Sequence, residues 1–344
     1  MLYLDYTCSL NRVKILLIRI SSLGDVLHNM PIVQDLLRHF PQAEIDWVVE
    51  EAYVELVRLN QGVRKILPVA LRRWRKQLFA ANTWSEIANF KKNLQQEHYD
   101  LVIETQGLFK TGLIMGLAKL APHGRKVGLA NGTEDSGYEA ISRLFHDQSI
   151  AVERRTHAVL RGRIVTAAAG QFLIDTPANF GLQNPVLPNA KPDWLPSRAY
   201  AVFFHGSAGQ QKKWPQQHWI SIAAELKKIG LPLLLPWGNA QEKAEAEQMA
   251  SQMENAQVLP KLQMQEAIFL AQQASLVIGV DTGLTHIAAA YCRPTIEIYC
   301  ASPRWKTEGN WSSQIINLGD DGKPPSVEEV RQALHQLLPN LMAS

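Results

Sequence analysis

The stretch that decides the fold runs Leu276-Val-Ile-Gly-Val280, Asp281-Thr-Gly283 and Leu284-Thr-His286-Ile-Ala-Ala-Ala290. Its first five residues form an apolar run of the length expected for a central parallel strand. Asp281 or Thr282 can cap the following helix, and Gly283 lets the backbone approach a ligand closely. Because free N–H groups at a helix start favour anions, the stretch predicts a strand, a turn and an anion-binding helix start.

Two other interpretations of the Asp-Thr-Gly triplet have to be weighed against this one. Strand-to-helix turns with an Asp or Thr cap occur several times in any α/β protein and can be purely structural. The same triplet occurs in aspartic proteases, where two carboxylates share a proton. This chain has one such triplet, and it precedes a helix in an α/β context, so the pattern disfavours a protease.

The overall composition predicts an ordinary globular protein of two domains. At 344 residues the chain is long for one core, while 46% hydrophobic and 19% charged residues are typical of soluble proteins. A net charge of +3 is too small to indicate a nucleic-acid partner. Three cysteines without metal-ligand spacing favour a reduced, cytoplasmic setting. Nothing in the sequence resembles an Asp-x-Asp metal motif at a strand end, so no required metal is expected.

The first apolar run is predicted to be a strand. Residues Val13–Ile20 are too few for a membrane span and include Lys14 and Arg19. The preceding residues, 1–12, lack the charge, apolar core and cleavage site of a signal peptide, so we expect a short N-terminal extension.

Strands and helices alternate through the first half of the chain, which predicts a parallel sheet covered on both faces and a domain over residues 13–175. The predicted strands are Val13–Ile20, Ile45–Val49, Lys65–Val69 and Asp100–Glu104. The predicted helices are Val26–Phe40, Glu51–Leu59 and Trp84–Gln96, with another opened by Gln106-Gly107.

A proline-rich segment, residues 176–198, is predicted to link this domain to a second one over residues 199–325. The alternation restarts there, and residues 326–344 contain a final amphipathic helix. Predicted strands are Tyr200–Phe204, Leu231–Leu235, Val258–Leu259 and Thr295–Tyr299, and predicted helices are Gln216–Lys228, Ala240–Met253 and Gln265–Ala274. The fold class is therefore α/β, with two Rossmann-like doubly wound domains facing a central cleft.

The loop Ser21–Asp25 follows the first strand and carries a carboxylate. A dinucleotide-binding protein would show Gly-x-Gly-x-x-Gly at this place, and Gly24 is the only glycine present. The loop therefore argues against a nicotinamide site. Asp25 either acts as a general base on a hydroxyl or caps the next helix, and the pattern alone leaves both open.

The loop from His205 to Pro215 combines glycine, hydroxyl and lysine, a set that suits phosphate oxygens. The alternative is a solvated loop with ordinary surface lysines. Further along, Trp237-Gly238 ends a strand and Glu242 stands in the first turn of a helix. A glutamate there usually complements the helix dipole, but it can also bind ribose hydroxyls.

The densest basic cluster is Arg72-Arg-Trp-Arg-Lys76, directly after the third strand. A run of charges is usually a solvated face, yet four neighbouring cations repel one another. The cluster therefore suggests an anionic partner, either phosphate or carboxylate groups of a substrate or lipid headgroups.

Several of these segments, in this order, resemble the ADP-heptose:lipopolysaccharide heptosyltransferases, a family of GT-B glycosyltransferases. The matching segments are Arg19–His28, Ile45–Glu51, Arg72–Lys76, Lys212–Pro215 and Val280–His286. The second and third are most similar to type I enzymes, whereas the Gly-Asp turn and Asp-x-Gly-x-x-His are shared with type II. The resemblance extends from about Val13 to the last helix.

The resemblance implies transfer of L-glycero-D-manno-heptose from its ADP-activated form to the first Kdo of Kdo2-lipid A, with inversion at the anomeric carbon. The N-terminal domain would hold the acceptor and the C-terminal domain the donor. No cofactor and no metal are implied. Because the acceptor is lipid-anchored, the enzyme would be cytoplasmic and in peripheral contact with an anionic membrane surface at the inner membrane.

The resemblance also assigns roles to individual residues. Asp25 matches the general base, and Lys212 matches the lysine that offsets charge on the departing ADP. Further donor-binding residues are expected at Ser207, Trp237, Gly238, Glu242, Leu262, Asp281, Thr282, Gly283 and His286. Acceptor-binding residues are expected at Ser22, Gly24, Arg72, Arg73, Arg75 and Lys76.

The chain departs from the family pattern at two places. Ser207-Ala208 replaces a pair of hydroxyl residues, and Leu262 stands where close relatives have methionine. The remaining alternatives are heptosyltransferase II or another sugar-nucleotide transferase of this fold, a dinucleotide-dependent oxidoreductase, and a non-catalytic nucleotide sensor. The missing glycine fingerprint opposes the oxidoreductase.

Overall fold

The computed structural model describes residues 12–134, 136–187, 192–207 and 209–342. These form two compact units, one of residues 12–21 and 28–181 and the other of residues 22–27 and 182–342. Each unit contains one six-stranded parallel sheet, so the predicted α/β class with two doubly wound sheets is confirmed. Apart from Arg12, the predicted N-terminal extension lies outside the described residues, as does Pro188 of the predicted linker.

The sheet of the first unit has the order β3-β2-β1-β4-β5-β6, the strand order of dinucleotide-binding sheets. Its strands are β1 (Lys14–Ile18), β2 (Glu44–Glu50), β3 (Val63–Val69), β4 (His98–Glu104), β5 (Lys119–Leu129) and β6 (Gln148–Ile150). Leu16 and Ile18 are buried, and so are the alternate residues Ile15 and Leu17. Both faces of the sheet are therefore covered, as expected for parallel strands.

The α-helices that begin in the first half of the chain are α1 (Leu23–His28), α2 (Pro31–His39), α3 (Val54–Arg58), α4 (Leu71–Lys76), α5 (Ala81–Leu94), α6 (Phe109–Leu117) and α7 (Ala158–Gly170). Short 3₁₀ helices cover Glu51–Tyr53 and Ala140–Phe145. Trp74 of α4, Phe90 of α5 and Met115 of α6 pack in one core with strand residues such as Leu16. Helices α4 to α6 therefore share one sheet face.

The predicted continuous helix Val26–Phe40 is wrong. The chain forms α1 and α2 instead, separated by a turn at Asn29-Met30. Pro31 has no N–H to donate to a preceding turn, so it begins a new helix, where that hydrogen bond is not needed. The buried ion pair of Asp35 with Arg163, with N–O distances of 2.8 and 2.9 Å, then ties α2 to α7.

The sheet of the second unit has the order β12-β11-β10-β7-β8-β9. Its strands are β7 (Ala201–Phe204), β8 (Leu233–Leu235), β9 (Ala256–Val258), β10 (Leu276–Val280), β11 (Thr295–Tyr299) and β12 (Ile315–Gly319). Its helices are α8 (Gln216–Lys228), α9 (Ala240–Ala250), α10 (Met264–Gln273), α11 (Gly283–Ala290) and α12 (Val327–Met342). Helix α12 buries Val330 and Leu334 in this unit's core.

Each parallel sheet has a switch point, where the chain changes the side of the sheet on which it adds strands. This point lies between β1 and β4 in the first unit and between β7 and β10 in the second. Ligands of doubly wound sheets bind at the carboxyl ends of such strands. In the second unit these ends lead into His205–Ser207 and Asp281–Gly283. None of the described helices combines the length and the apolar content needed to cross a bilayer.

Candidate active site

The imidazole of His286 lies between two carboxylates at the carboxyl edge of the second sheet. Its Nδ1 is 2.8 Å from Oε1 of Glu297, and its Nε2 is 2.9 Å from Oδ1 of Asp281. His286 stands in the first turn of α11, Glu297 in the middle of β11, and Asp281 directly after β10. Three neighbouring elements are therefore joined by one ring.

The charges of these three groups depend on one another. Burial opposes the charged form of His286, but the charges and hydrogen bonds of Glu297 and Asp281 outweigh it and raise its pKa from 6.5 to about 10. Burial would likewise raise the pKa of Asp281, but His286 and Lys212 lower it well below the ordinary value of 3.8. At neutral pH His286 is therefore a cation that donates from both ring nitrogens, and Asp281 is ionised.

Asp281 brings the two sequence-predicted donor loops together. Its Oδ2 accepts hydrogen bonds from Nζ of Lys212 at 2.7 Å and from Oγ of Ser302 at 2.7 Å. Asp281 follows β10 and Lys212 lies in the loop after β7, the neighbouring strand, which explains how residues so far apart in sequence meet. The imidazolium lies between two carboxylates, so the groups at this edge that can bind an anionic ligand are the start of α11 and the half-exposed Lys212.

The start of α11 matches the sequence prediction. Thr282 is the N-cap residue of α11 and has an extended backbone conformation. Its side chain makes no capping hydrogen bond, and Gly283 is the first helical residue. The hydroxyl of Thr285 donates to the carbonyl of Val280 at 2.9 Å, which fixes the turn between β10 and α11. The first N–H groups of α11 therefore belong to Gly283 and its neighbours. A Cβ on Gly283 would lie 2.7 Å from Cγ of Leu23, so glycine at this position makes room for that side chain.

Glu242 is held at the ends of β7 and β8. Its carboxylate accepts the N–H of Gly238 at 2.7 Å, and Asn239 caps the helix by accepting the N–H of Glu242 at 3.0 Å. A Cβ atom on Gly206 would lie 2.7 Å from the carboxyl carbon of Glu242. Glycine at position 206 is therefore what leaves room for this carboxylate.

Trp237 and Leu262 border the same edge. The indole N–H of Trp237 donates to the carbonyl of Leu259 at 2.7 Å, and Nζ of Lys243 lies 5.6 Å from the ring centroid. Leu262 is half-buried in the loop between β9 and α10. Ser207 is half-buried after β7, whereas Ala208, which replaces the second hydroxyl residue of the family, lies outside the described residues.

The neighbouring lysine, Lys213, has a different partner. Its Nζ lies 2.7 Å from both carboxylate oxygens of Glu245, beside a cavity of about 240 Å³ that Trp214 also lines. His205 borders the same cavity, and burial lowers its pKa below 6.5. Of two adjacent lysines, only Lys212 is directed to Asp281.

Asp25 is positioned by its own loop. Its Oδ2 accepts the backbone N–H and the hydroxyl of Ser22, both at 2.9 Å, and it stands in the first turn of α1. Asp25 therefore makes the helix-capping contact that was one of its two predicted roles. The same hydrogen bonds orient its carboxylate. Gly24 lies between the two residues in the same turn.

The basic cluster forms helix α4, and its members have different environments. Arg73 is compensated by two acids, with N–O distances of 3.0 Å to Glu51 and 2.8 Å to Glu86. The guanidinium of Arg72 lies over the ring of Tyr53 at 5.8 Å. Arg75 and Lys76 are exposed and form no ion pair with a described residue. Neutralisation by acids therefore removes part of the expected repulsion within the cluster.

A family model described as "Glycosyltransferase family 9 (heptosyltransferase)" matches residues 87–336. The chain belongs to glycosyltransferase family 9. Lipopolysaccharide heptosyltransferase 1 of Pseudomonas aeruginosa is 35% identical over 90% of this chain and 84% of the relative. The Escherichia coli K12 protein of the same name is 34% identical over 88% and 92%.

Solved structures of heptosyltransferases are also similar to this family 9 enzyme. The E. coli heptosyltransferase WaaC with ADP has a TM-score of 0.82 and 31% identity, and the match covers 94% of this chain and all of that one. E. coli ADP-heptose lps heptosyltransferase II has a TM-score of 0.73 at 20% identity, which shows a shared fold. The predicted GT-B fold and glycosyltransferase class are confirmed, and the oxidoreductase alternative is wrong.

Some residues of this family 9 site were not found from the sequence. Glu297, Ser302 and Thr307 all contribute to the network, with the hydroxyl of Thr307 3.4 Å from Oδ1 of Asp281. Glu297 carried a usable signal, because a carboxylate inside an otherwise apolar strand requires a buried partner. Ser302 and Thr307 lie in an irregular loop without such a signal. No group of three or more His, Cys, Asp or Glu residues in the described ranges is arranged to hold a metal ion.

Proposed function

We propose that this family 9 enzyme transfers L-glycero-D-manno-heptose from ADP-heptose to the first Kdo of Kdo2-lipid A, in lipopolysaccharide inner-core biosynthesis. The observation that carries the proposal is the Lys212–Asp281–His286 network at the carboxyl ends of β7 and β10. It combines cations and a helix start for a diphosphate with a carboxylate for sugar hydroxyls. Related E. coli structures contain ADP and ADP-2-deoxy-2-fluoro heptose.

On the donor side, Lys212 and the N–H groups of Thr282 and Gly283 bind the diphosphate. Glu242 accepts hydrogen bonds from ribose hydroxyls, Asp281 binds heptose hydroxyls, and His286 lines the pocket and keeps Asp281 ionised. Ser207, Trp237, Gly238 and Leu262 complete the donor pocket. Since the site supplies positive charge from side chains and backbone, we propose catalysis without a metal.

On the acceptor side, Asp25 is the general base. It takes the proton from a Kdo hydroxyl as that oxygen bonds to the anomeric carbon of heptose. The bond from this carbon to the β-phosphate oxygen breaks in the same step, and ADP departs with the electron pair, stabilised by Lys212. A single displacement of this kind inverts the anomeric centre without a covalent enzyme intermediate.

Ser22 and Gly24 shape the turn that carries the base, and Arg72, Arg73, Arg75 and Lys76 face anionic groups of the acceptor. The exposure of Arg75 and Lys76 supports this role more than the paired state of Arg73 does. The N-terminal domain, residues 13–175, would thus bind the acceptor and residues 199–325 the donor, although residues 22–27, which carry Asp25, belong to the second compact unit. A lipid-borne acceptor places the enzyme in peripheral contact with the cytoplasmic face of the inner membrane.

The second candidate is heptosyltransferase II activity, but relatives of that name are only 21–23% identical. Purified protein with ADP-heptose should be offered Kdo2-lipid A and, separately, an acceptor that already carries the first heptose. We expect a mass increase of one heptose on the first acceptor alone. Transfer only to the heptosylated acceptor would establish type II activity, and ADP binding without any transfer would indicate a nucleotide sensor.

A further inference from the structure

Helix α6 has apolar residues on its solvent side as well as on its core side. Ile114 and Met115 are buried against the sheet. Phe109, Leu113 and Leu117, spaced four residues apart on one face, are 40%, 44% and 36% exposed. A helix at the surface of a soluble domain normally has polar residues on its outer side.

The 3₁₀ helix Ala140–Phe145 extends this face. Its Ile141 and Leu144 are 51% and 81% exposed, while Phe145 packs beside α6 with its ring centroid 6.1 Å from that of Phe109. A Cβ on Gly112 or Gly116 of α6 would lie 2.6 or 2.9 Å from the Phe145 ring. These glycines therefore allow the two segments to join into one face, the α6 apolar surface, made of Phe109, Leu113, Leu117, Ile141 and Leu144.

Cations outnumber carboxylates beside the α6 apolar surface. Lys110, Lys119 and Arg143 are exposed, and none of them forms an ion pair with another described residue. Glu139 accepts the N–H of Phe109 at 2.6 Å, so the nearby carboxylate is engaged at the start of α6. Asp147 likewise accepts a backbone N–H at 2.7 Å.

We propose that the α6 apolar surface inserts into the headgroup boundary of an anionic lipid bilayer. Large side chains enter the acyl boundary while Lys110, Lys119 and Arg143 contact anionic headgroups, the division found in interfacial helices. The proposal deepens the proposed function and rests on it for the lipid-borne acceptor. It adds a membrane contact at α6 to the one expected at the basic helix α4, which the exposed Leu78 and Phe79 follow.

Charge complementarity favours a bilayer over a second copy of the chain. A symmetric dimer brings the same patch of both subunits together, so two surfaces on which Lys110, Lys119 and Arg143 outnumber the acids would meet. The acids closest in sequence, Glu139 and Asp147, are fewer than these three cations, and each is held by a backbone N–H group. An anionic membrane surface supplies the missing negative charge.

The experiment measures sedimentation of the full-length protein with vesicles of phosphatidylcholine, with and without phosphatidylglycerol. The apolar variant is Leu113→Ser with Leu144→Ser, and the matched control is Leu173→Ser, a leucine with 82% exposure outside this surface. We expect the fraction of protein bound to vesicles to fall by about tenfold or more in the apolar variant. Each substituted leucine no longer contributes the free energy of moving an apolar side chain from water into the bilayer. The control should change by less than about twofold.

A charge variant, Lys110→Gln with Arg143→Gln, should lower binding to the anionic vesicles by about 25-fold, at about fivefold for each cation. Binding to vesicles without phosphatidylglycerol should change little. Arg75→Gln with Lys76→Gln serves as the comparison on α4. Unchanged partitioning of both α6 variants, or an absence of anionic-vesicle binding by the wild type, would overturn the proposal.

Two readouts separate this proposal from its alternatives. Heptose transfer to a Kdo acceptor stripped of its acyl chains should be unchanged in the α6 variants, because none of these residues belongs to the site. If the wild type does not transfer heptose but its variants bind vesicles as expected, the proposed function is wrong and the proposed membrane contact of α6 is supported. If analytical ultracentrifugation shows a wild-type dimer that the apolar variant dissociates, with vesicle binding unchanged, the surface is a dimer interface and the proposal is overturned.

Discussion

Nδ1 of His286 lies 2.8 Å from Oε1 of Glu297, and both side chains are almost completely buried. Glu297 also accepts the hydroxyl of Tyr299 at 3.1 Å and the N–H of Gly309 at 2.9 Å. This carboxylate therefore holds the ring that in turn holds Asp281. A buried glutamate thus fixes the position of the His286 ring and helps to raise its pKa.

Glu297→Gln should destabilise the protein strongly. Removal of one partner from a buried ion pair leaves the other charge uncompensated and costs about 3–5 kcal/mol. At about 2–4 °C for each kcal/mol in a domain of this size, the melting temperature should fall by roughly 6–20 °C. Differential scanning calorimetry measures this, with exposed Glu328→Gln as the control. A shift below about 2 °C would contradict the proposed role of Glu297.

Stability should fall as the pH rises from about 6.5 to about 10. The pKa of His286 is raised from 6.5 to about 10 in the folded protein, so its contribution is fully present below pH 6.5 and is lost as the pH passes about 10. The lowered pKa of Asp281 acts oppositely: its contribution is present above pH 3.8 and is lost on acidification. Urea unfolding at several alkaline pH values measures the free energy of unfolding. This free energy should fall less steeply with pH in Glu297→Gln than in the wild type.

Lys212→Gln and Lys213→Gln form a matched pair of adjacent substitutions. Lys212 is bound to Asp281, whereas Lys213 is bound to Glu245. If Lys212 stabilises the departing diphosphate as proposed, its loss should lower kcat by about 10²–10³-fold. Lys213→Gln should lower kcat by less than about threefold, since Glu245 is its main partner. Steady-state kinetics with ADP-heptose decide this, and equal losses would place both lysines at the donor.

Gly206→Ala should weaken ADP binding by displacing Glu242. The added Cβ would meet the carboxyl carbon of Glu242 at 2.7 Å, so the carboxylate must move away from the N–H of Gly238. We expect a rise of about tenfold in the Kd for ADP, equivalent to the loss of one charged hydrogen bond. Isothermal titration calorimetry on a double-mutant cycle with Glu242→Ala tests the mechanism. Additive effects would show that Gly206 acts independently of Glu242.

Asp25→Asn should abolish most turnover and preserve ADP binding. The substitution removes the proposed proton acceptor, so kcat should fall by about 10²–10⁴-fold, but it retains an oxygen that can accept from Ser22. Ser22→Ala is the control, because it removes one hydrogen bond to the carboxylate and costs about 1 kcal/mol of stability. If Asp25→Asn turns over nearly as fast as the wild type, the base is a different residue.

Much of the fold was accessible from local sequence patterns. Helix α8 matches its predicted span, Gln216–Lys228, and β11 matches Thr295–Tyr299. Strands β5, β6 and β12 were not predicted. Lys119–Leu129 contains charged and turn-forming residues, β6 has only three residues, and β12 includes Asn317 and Gly319, which are rare in strands. The predicted helix Val26–Phe40 was wrong because it continued through Pro31, and this proline begins a new helix instead.

The sequence by itself determined the two parallel sheets, the Asp281–Gly283 turn and the presence of Lys212 and Glu242 in polar loops. These features depend on periodicity, capping and glycine placement, which act over a few residues. Only the tertiary structure decided that Lys212 reaches Asp281, that Glu297 raises the pKa of His286, and that Arg73 is neutralised by Glu51 and Glu86. Such pairings join residues from different strands and helices, and their energies depend on burial and distance, which sequence spacing does not contain.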